Sequence, residues 1–314
     1  MENIFLKPQE LHIPDGFLSL PLALLCWALA IITLAIAVRK TRHTFGDRQV
    51  PLMGILAAFI FAAQMINFPV AGGTSGHLLG GVLAAVVLGP WAGMLVMTSV
   101  VAVQGLLFQD SGLLVMGANI LNMGLLTALI GYGLYRTVAG RSKTVRLGMV
   151  ALAAWLSVMA AALATALQLW LSGTSLLSVV MPAMLGVHAL IGLGEALITV
   201  GAVALILQTR PNLLEESASA GQGRGWMIGG VATAILVVVL SPLASTSPDG
   251  LERVAENLGF LAKGADAPYN LLPDYTLPFL GETAFSTILA GVIGAGVVAL
   301  VAILLLKAVQ AKEH

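Results

Sequence analysis

The sequence predicts an all-α polytopic membrane protein: a seven-span helical bundle followed by a two-span C-terminal module. Three observations lead there. The 314-residue chain is 58% hydrophobic and only 10% charged, with a mean hydropathy of +0.96, whereas soluble domains carry roughly a quarter charged residues. Nine apolar runs mark it, near 18–38, 51–67, 78–90, 91–108, 112–135, 148–172, 181–207, 226–243 and 285–306. A helix needs about 20 apolar residues to cross a bilayer, fewer inside a bundle. The basic residues favour one side of that pattern. With the N-terminus outside, the inner segments hold Arg39, Lys40, Arg42, Arg48, Arg136, Arg141, Lys143, Arg146, Arg210, Arg224, Lys307 and Lys312, leaving only Lys7, Arg253 and Lys263 outside. This positive-inside bias predicts an outer N-terminus, a cytoplasmic C-terminus and an odd number of spans in the plasma (inner) membrane.

Residues 1–10 read as an N-terminal extension. They include Glu2, Lys7, Pro8 and Glu10 and no apolar stretch ahead of a small-residue cleavage site, so they do not resemble a signal peptide. Residues 11–208 form a compact unit with short connections. Only Gly89-Pro90 separates its third and fourth spans, which read either as two helices or as one kinked element. Residues 209–225 are polar and read as a cytoplasmic linker. Residues 226–314 supply two spans around an acid-rich outer loop, 244–285, too long for a simple connection. Pro14-Asp15-Gly16 and Pro248-Asp249-Gly250 echo one another, although this is a common turn sequence. The net charge is zero, which gives no footprint for nucleic acid. Cys26 is the only cysteine and lies in an apolar run, so it reads as inert packing and no internal disulfide can form.

The polar residues narrow the function. His12 precedes the first span in Leu11-His12-Ile13-Pro14-Asp15-Gly16, and His77 follows the second in Gly72-Gly73-Thr74-Ser75-Gly76-His77. Two neutral imidazoles on the same side of a membrane suggest a transition-metal site. The plainer readings are a histidine in an interfacial turn and a small-residue packing face. The glycines equally allow an irregular segment at membrane depth. His188 and Glu195 are seven residues apart and share a helix face. Burying Glu195 as a carboxylate costs about 3 kcal/mol on insertion scales, so it reads as a second polar station behind the outer site or as a tie between helices. Gln64, Asn67 and Ser75 are supporting candidates near His77, while Gln104, Asn119 and Asn122 read as interhelical hydrogen-bonding groups. Ala58-x-x-x-Ala62 is a small-residue face suited either to a partner or to packing within the chain.

Some classes lack support. No Gly-x-x-x-x-Gly-Lys-[Ser/Thr] occurs, so the chain offers no P-loop ATP site. No His-Glu-x-x-His occurs, which removes the motif of a zinc-dependent intramembrane protease. A stand-alone secondary carrier predicts ion-coupling residues along the spans, and only Glu195 qualifies.

Three motifs resemble the CbiM/NikM family: Leu11-His12-Ile13-Pro14-Asp15-Gly16-Phe17-Leu18, Gly72-Gly73-Thr74-Ser75-Gly76-His77-Leu78 and His188-Ala189-Leu190-Ile191-Gly192-Leu193-Gly194-Glu195-Ala196. These are the substrate-binding S components of energy-coupling-factor transporters for cobalt and nickel. The tail, with Ser247-Pro248-Asp249-Gly250-Leu251-Glu252-Arg253, resembles the PDGLE module that some nickel systems carry fused. The resemblance implies uptake of Ni(II), or alternatively of Co(II) for cobalamin synthesis. It also implies a transmembrane coupling subunit and separate ATPase subunits as partners, with Ala58 and Ala62 docking on the coupling subunit. It further implies a planar nitrogen site on His12, His77 and the chain nitrogen of Leu11. That last nitrogen is an amine only if translation starts at position 11, and in the family the initiator Met falls there. The alternative is a genuine ten-residue extension with altered coordination.

Overall fold

A computed structural model describes residues 12–42, 49–210, 225–265 and 267–310. Leu11, residues 1–10, His43, the linker 211–224 and His314 lie outside them. The order begins with α1 (Leu20–Arg42) and α2 (Gln49–Gln64), a short antiparallel hairpin of β1 (Phe68–Val70) and β2 (Thr74–Gly76), then α3 (Gly81–Leu88) and α4 (Pro90–Val103). It continues through α5 (Met116–Asn119), α6 (Thr127–Arg136), α7 (Lys143–Leu171) and α8 (Leu177–Thr209). The C-terminal module adds α9 (Gly225–Leu240), α10 (Gly250–Leu258) and α11 (Ala284–Gln310). Among the described residues seven helical stretches are long and apolar enough to cross a membrane.

The third apolar run does not form a spanning helix by itself. α3 has eight residues, all buried, or about 12 Å at 1.5 Å per residue. A non-helical segment from His77 to Gly80, with Gly80 left-handed at φ 81°, leads into it. The expected break at Gly89-Pro90 is present: Gly89 takes φ 80°, where only glycine is at ease, and Pro90 opens α4. α3 and α4 are therefore two helices folded against each other.

Two spans change their winding near the end that meets the segment before α1. Gln104–Phe108 and Ile120–Leu126 are π-helical, a local widening that tends to occur at functional positions. Between them, residues 109–115 form a loop that approaches the segment before α1.

α2 is the junction of the two units. It packs against α4 on one side and against α9 and α11 on the other. Glycines make the close approach: Gly54 lies under Ile303, Gly230 under Ile55, and Gly294 against Phe61 and Phe108. A Cβ at any of the three would come within 2.3–2.8 Å of those side chains. Ala62 is fully buried and Ala58 half-buried on this packed helix. The leucines and isoleucines of α1, including Leu24, Leu25, Ile31 and Ile32, remain exposed, as befits a lipid-facing helix.

Candidate metal site

His12 and His77 converge. Their rings stand edge to face with centroids 5.7 Å apart, and both residues are buried. They line a cavity of about 80 Å³ with His188, Asn122, Asp249 and Gly250. At roughly 30 Å³ per water, this space suits an ion with one or two small ligands.

The segment carrying His12 is clamped from the far side. Asn119 acts as a surrogate strand: its side-chain oxygen accepts from Ile13 N–H (3.1 Å) and its amide donates to the Ile13 carbonyl (3.0 Å) and to Ser111 (2.7 Å). The Asp15 carboxylate accepts the amides of Leu113, Leu114 and Val115 at 2.9–3.2 Å, tying the turn to the loop that leads into α5. Gly112 lies so close that a Cβ would fall 2.2 Å from the Asp15 nitrogen.

The segment carrying His77 is clamped by two side chains named from sequence. Glu195, fully buried on α8, accepts the amides of Leu79 (2.6 Å) and Gly80 (3.1 Å). Gln64 donates to the Leu79 carbonyl at 2.8 Å. An unwound segment at membrane depth must find such partners, and here α2 and α8 supply them. Glu195 thus ties this segment to α8, and His188 lines the same cavity as His12 and His77. Ser75 donates to the Ser247 carbonyl (2.7 Å), its amide donates to Pro248 (2.8 Å), and the Asn67 carbonyl accepts from Ser245 N–H (2.7 Å). Ser75 and Asn67 therefore hold the C-terminal module against the hairpin.

All three cavity histidines use Nδ1 in the same way. Nδ1 of His12 meets the Asp110 carbonyl, that of His77 the Leu78 carbonyl at 3.0 Å, and that of His188 the Met184 carbonyl at 2.8 Å. A carbonyl only accepts, so each neutral ring carries its proton on Nδ1 and its lone pair on Nε2. In metal-binding histidines a bond of this kind fixes tautomer and orientation. Among the described residues His12 Nε2 is buried with no hydrogen-bond partner. A chelate ring closed through the His12 amide would instead need Nδ1, which requires the ring to turn and release Asp110.

Four contributors escaped the sequence reading. Asn119 was read only as an interhelical group. Asp110 carries a carboxylate 3.7 Å from His12 Nδ1. Burial disfavours charge on His12, but the attraction and hydrogen bonds of Asp110 outweigh it and leave the imidazole pKa above its ordinary value. Asp249 caps α10 by accepting Glu252 N–H at 2.7 Å. Its burial beside the cavity pushes its pKa up to about 7. Tyr275, in the loop before α11, donates its hydroxyl to Asp110. Among the described residues no three His, Cys, Asp or Glu side chains form a complete metal cage, so an ion here would need backbone, amide or water ligands beside the imidazoles.

Comparison with known proteins agrees with this picture. Residues 12–213 match the CbiM family, described as the cobalt uptake substrate-specific transmembrane region, and residues 223–311 match the PDGLE domain. A protein of Archaeoglobus fulgidus, provisionally named a fused nickel transport protein NikMN, is 37% identical over 92% of this chain and 95% of its own length. The fused nickel transport protein NikMN of Rhodobacter capsulatus is 28% identical over the same shares. A crystal structure of a truncated transition metal transporter superposes with a TM-score of 0.57 at 35% identity, covering 63% of this chain and 98% of that one. The chain belongs to the CbiM family of nickel and cobalt transport proteins, joined to a PDGLE domain.

Proposed function

We propose that this chain captures a divalent transition-metal ion from the outer side of the plasma membrane, Ni(II) ahead of Co(II), through His12 and His77. The observation that carries this is their geometry. A metal about 2 Å from a ring nitrogen lies roughly 3 Å from the ring centroid, so two rings sharing one ion have centroids within roughly 6 Å. The observed 5.7 Å meets that limit without movement of either segment. The buried Nε2 of His12, without a partner among the described residues, supports the reading, because such an atom is costly unless a ligand engages it.

Nickel comes first because relatives matching nearly the full fused chain are named for nickel, whereas the cobalt-named relatives include a chain of Sorangium cellulosum matching 66% of this one. The distribution of basic residues supports an outer N-terminus and a cytoplasmic C-terminus. The chain has no ATP motif of its own, so ATP-driven import requires a transmembrane coupling subunit and ATPase subunits. His188 lines the cavity beside the captured ion. The chain nitrogen of Leu11 joins the ligand set where translation starts at position 11.

The test is titration of the full chain with Ni(II) and with Co(II), followed by visible absorption. Binding lost in both His12→Ala and His77→Ala supports the site. Undiminished binding in both variants would remove it. A yellow band from a diamagnetic complex would support a strong planar field, such as amine and amide nitrogens would supply beside the imidazoles.

A further inference from the structure

We infer that Tyr275 of the C-terminal module is a positioning residue for the metal site, acting through Asp110 on His12. The inference rests on the proposed role of His12. The Tyr275 hydroxyl donates to the Asp110 carboxylate and accepts from Gln104 at 3.2 Å. The Asp110 carbonyl in turn accepts from His12 Nδ1, with its carboxylate 3.7 Å from the same atom. One unbroken set of contacts therefore links the fused module to the back of the histidine whose Nε2 is left for an ion.

The placement of Tyr275 is enforced. Its ring stacks on Phe108 (4.6 Å, 18°) and lies 6.0 Å from Phe61. Asp274 (φ 53°) and Tyr275 (φ 54°) both occupy the left-handed region, which side-chain-bearing residues rarely adopt. The loop bends against backbone preference and delivers a phenol between two spans of the other unit. The π-helical turn at Gln104–Phe108 puts Gln104 and Phe108 on either side of it.

A merely anchoring Tyr275 would stabilise the loop and leave the metal alone. A positioning Tyr275 holds the Asp110 carboxylate, and thereby the orientation and basicity of the imidazole. The two separate in Tyr275→Phe, which keeps the stacked ring and removes only the hydroxyl. Ni(II) and Co(II) titrations of the full chain would be run on Tyr275→Phe, Asp110→Asn, the double variant and His12→Ala, with unfolding of each metal-free protein measured in parallel.

The expected result is about tenfold weaker binding in Tyr275→Phe, a shifted Co(II) visible spectrum, and an unchanged metal-free unfolding midpoint. The double variant should bind no more weakly than Asp110→Asn alone, because the two act in series. Wild-type affinity and spectrum in Tyr275→Phe would overturn the inference, as would additive losses or a change confined to unfolding. Should Tyr275→Phe fail to fold, a wild-type Co(II) spectrum in Asp110→Asn would overturn it equally. If His12→Ala itself binds as wild type, the metal site falls, and the role of Tyr275 falls with it.

Discussion

Glu195 accepts the amide of Leu79 at 2.6 Å, so a carboxylate on one membrane helix fixes the unwound segment that carries His77. Its second oxygen takes the amide of Gly80. Removing the acceptor strands two buried N–H groups, each costing about 1–3 kcal/mol. Glu195→Ala should therefore lower the unfolding midpoint and weaken Ni(II) binding together, and Glu195→Gln, which keeps one acceptor oxygen, should do less of both. Thermal unfolding and metal titration on the same samples check this. A Glu195→Ala protein that folds and binds normally but fails in uptake would make Glu195 a release station instead.

Asn119 plays the matching part for His12. Asn119→Asp keeps the acceptor for Ile13 N–H but loses the donor to the Ile13 carbonyl and to Ser111. The expected outcome is a loss of about 1–3 kcal/mol for each stranded group and weaker metal binding, with the two effects larger in Asn119→Leu. Normal Ni(II) affinity in Asn119→Leu would show that the segment holds its shape without the clamp.

These clamps explain how much could be read in advance. His12 and His77 stood out because histidines are rare here and each sits in a glycine-bearing run, although an interfacial turn and a packing face accounted for those runs as well. The same glycines hinted at an irregular segment before the third apolar run, but hydropathy alone could not tell an eight-residue helix from a short span. The burial of Glu195 was legible from its position in an apolar stretch, whereas its partner lies 116 residues away. Asp110 meets His12 across 98 residues and Tyr275 across 165. Single hydrogen bonds at such separations leave no periodicity.

Gly250 brings the C-terminal module to the cavity. A Cβ there would fall 2.6 Å from Ile191 Cδ1 and 2.8 Å from His188 Cε1, so the turn fits only because glycine stands at the contact. Gly250→Val should lift the start of α10 away from His188. The expected outcome is faster modification of His188 by a histidine-directed acylating reagent, mapped by mass spectrometry, and reduced uptake in a protein that still folds. Unchanged labelling would mean that α10 tolerates the side chain by local repacking and that the close approach is not needed.

Asp249 makes the docking of that turn dependent on pH, and the sign follows from its pKa. Burial raises it from 3.8 to about 7 in the docked module, while release into water would return it to its ordinary value. The docked form binds the proton more tightly. Docking is therefore strongest below pH 4 and weakens as pH rises through about 7, by at most about 1.4 kcal/mol per pH unit for one proton. Glu252, also raised to about 7 mainly by burial, pushes the same way. So does His12, whose pKa lies above its ordinary value. A bound divalent cation supplies the missing counter-charge and should restore docking at high pH. Amide exchange of residues 245–258, corrected for its intrinsic pH dependence, should rise between pH 5 and 8 in metal-free protein, stay low with Ni(II), and flatten in Asp249→Asn, where no proton is taken up. An Asp249→Asn profile identical to wild type would assign the dependence to His12 or Glu252 and leave Asp249 as a helix cap only.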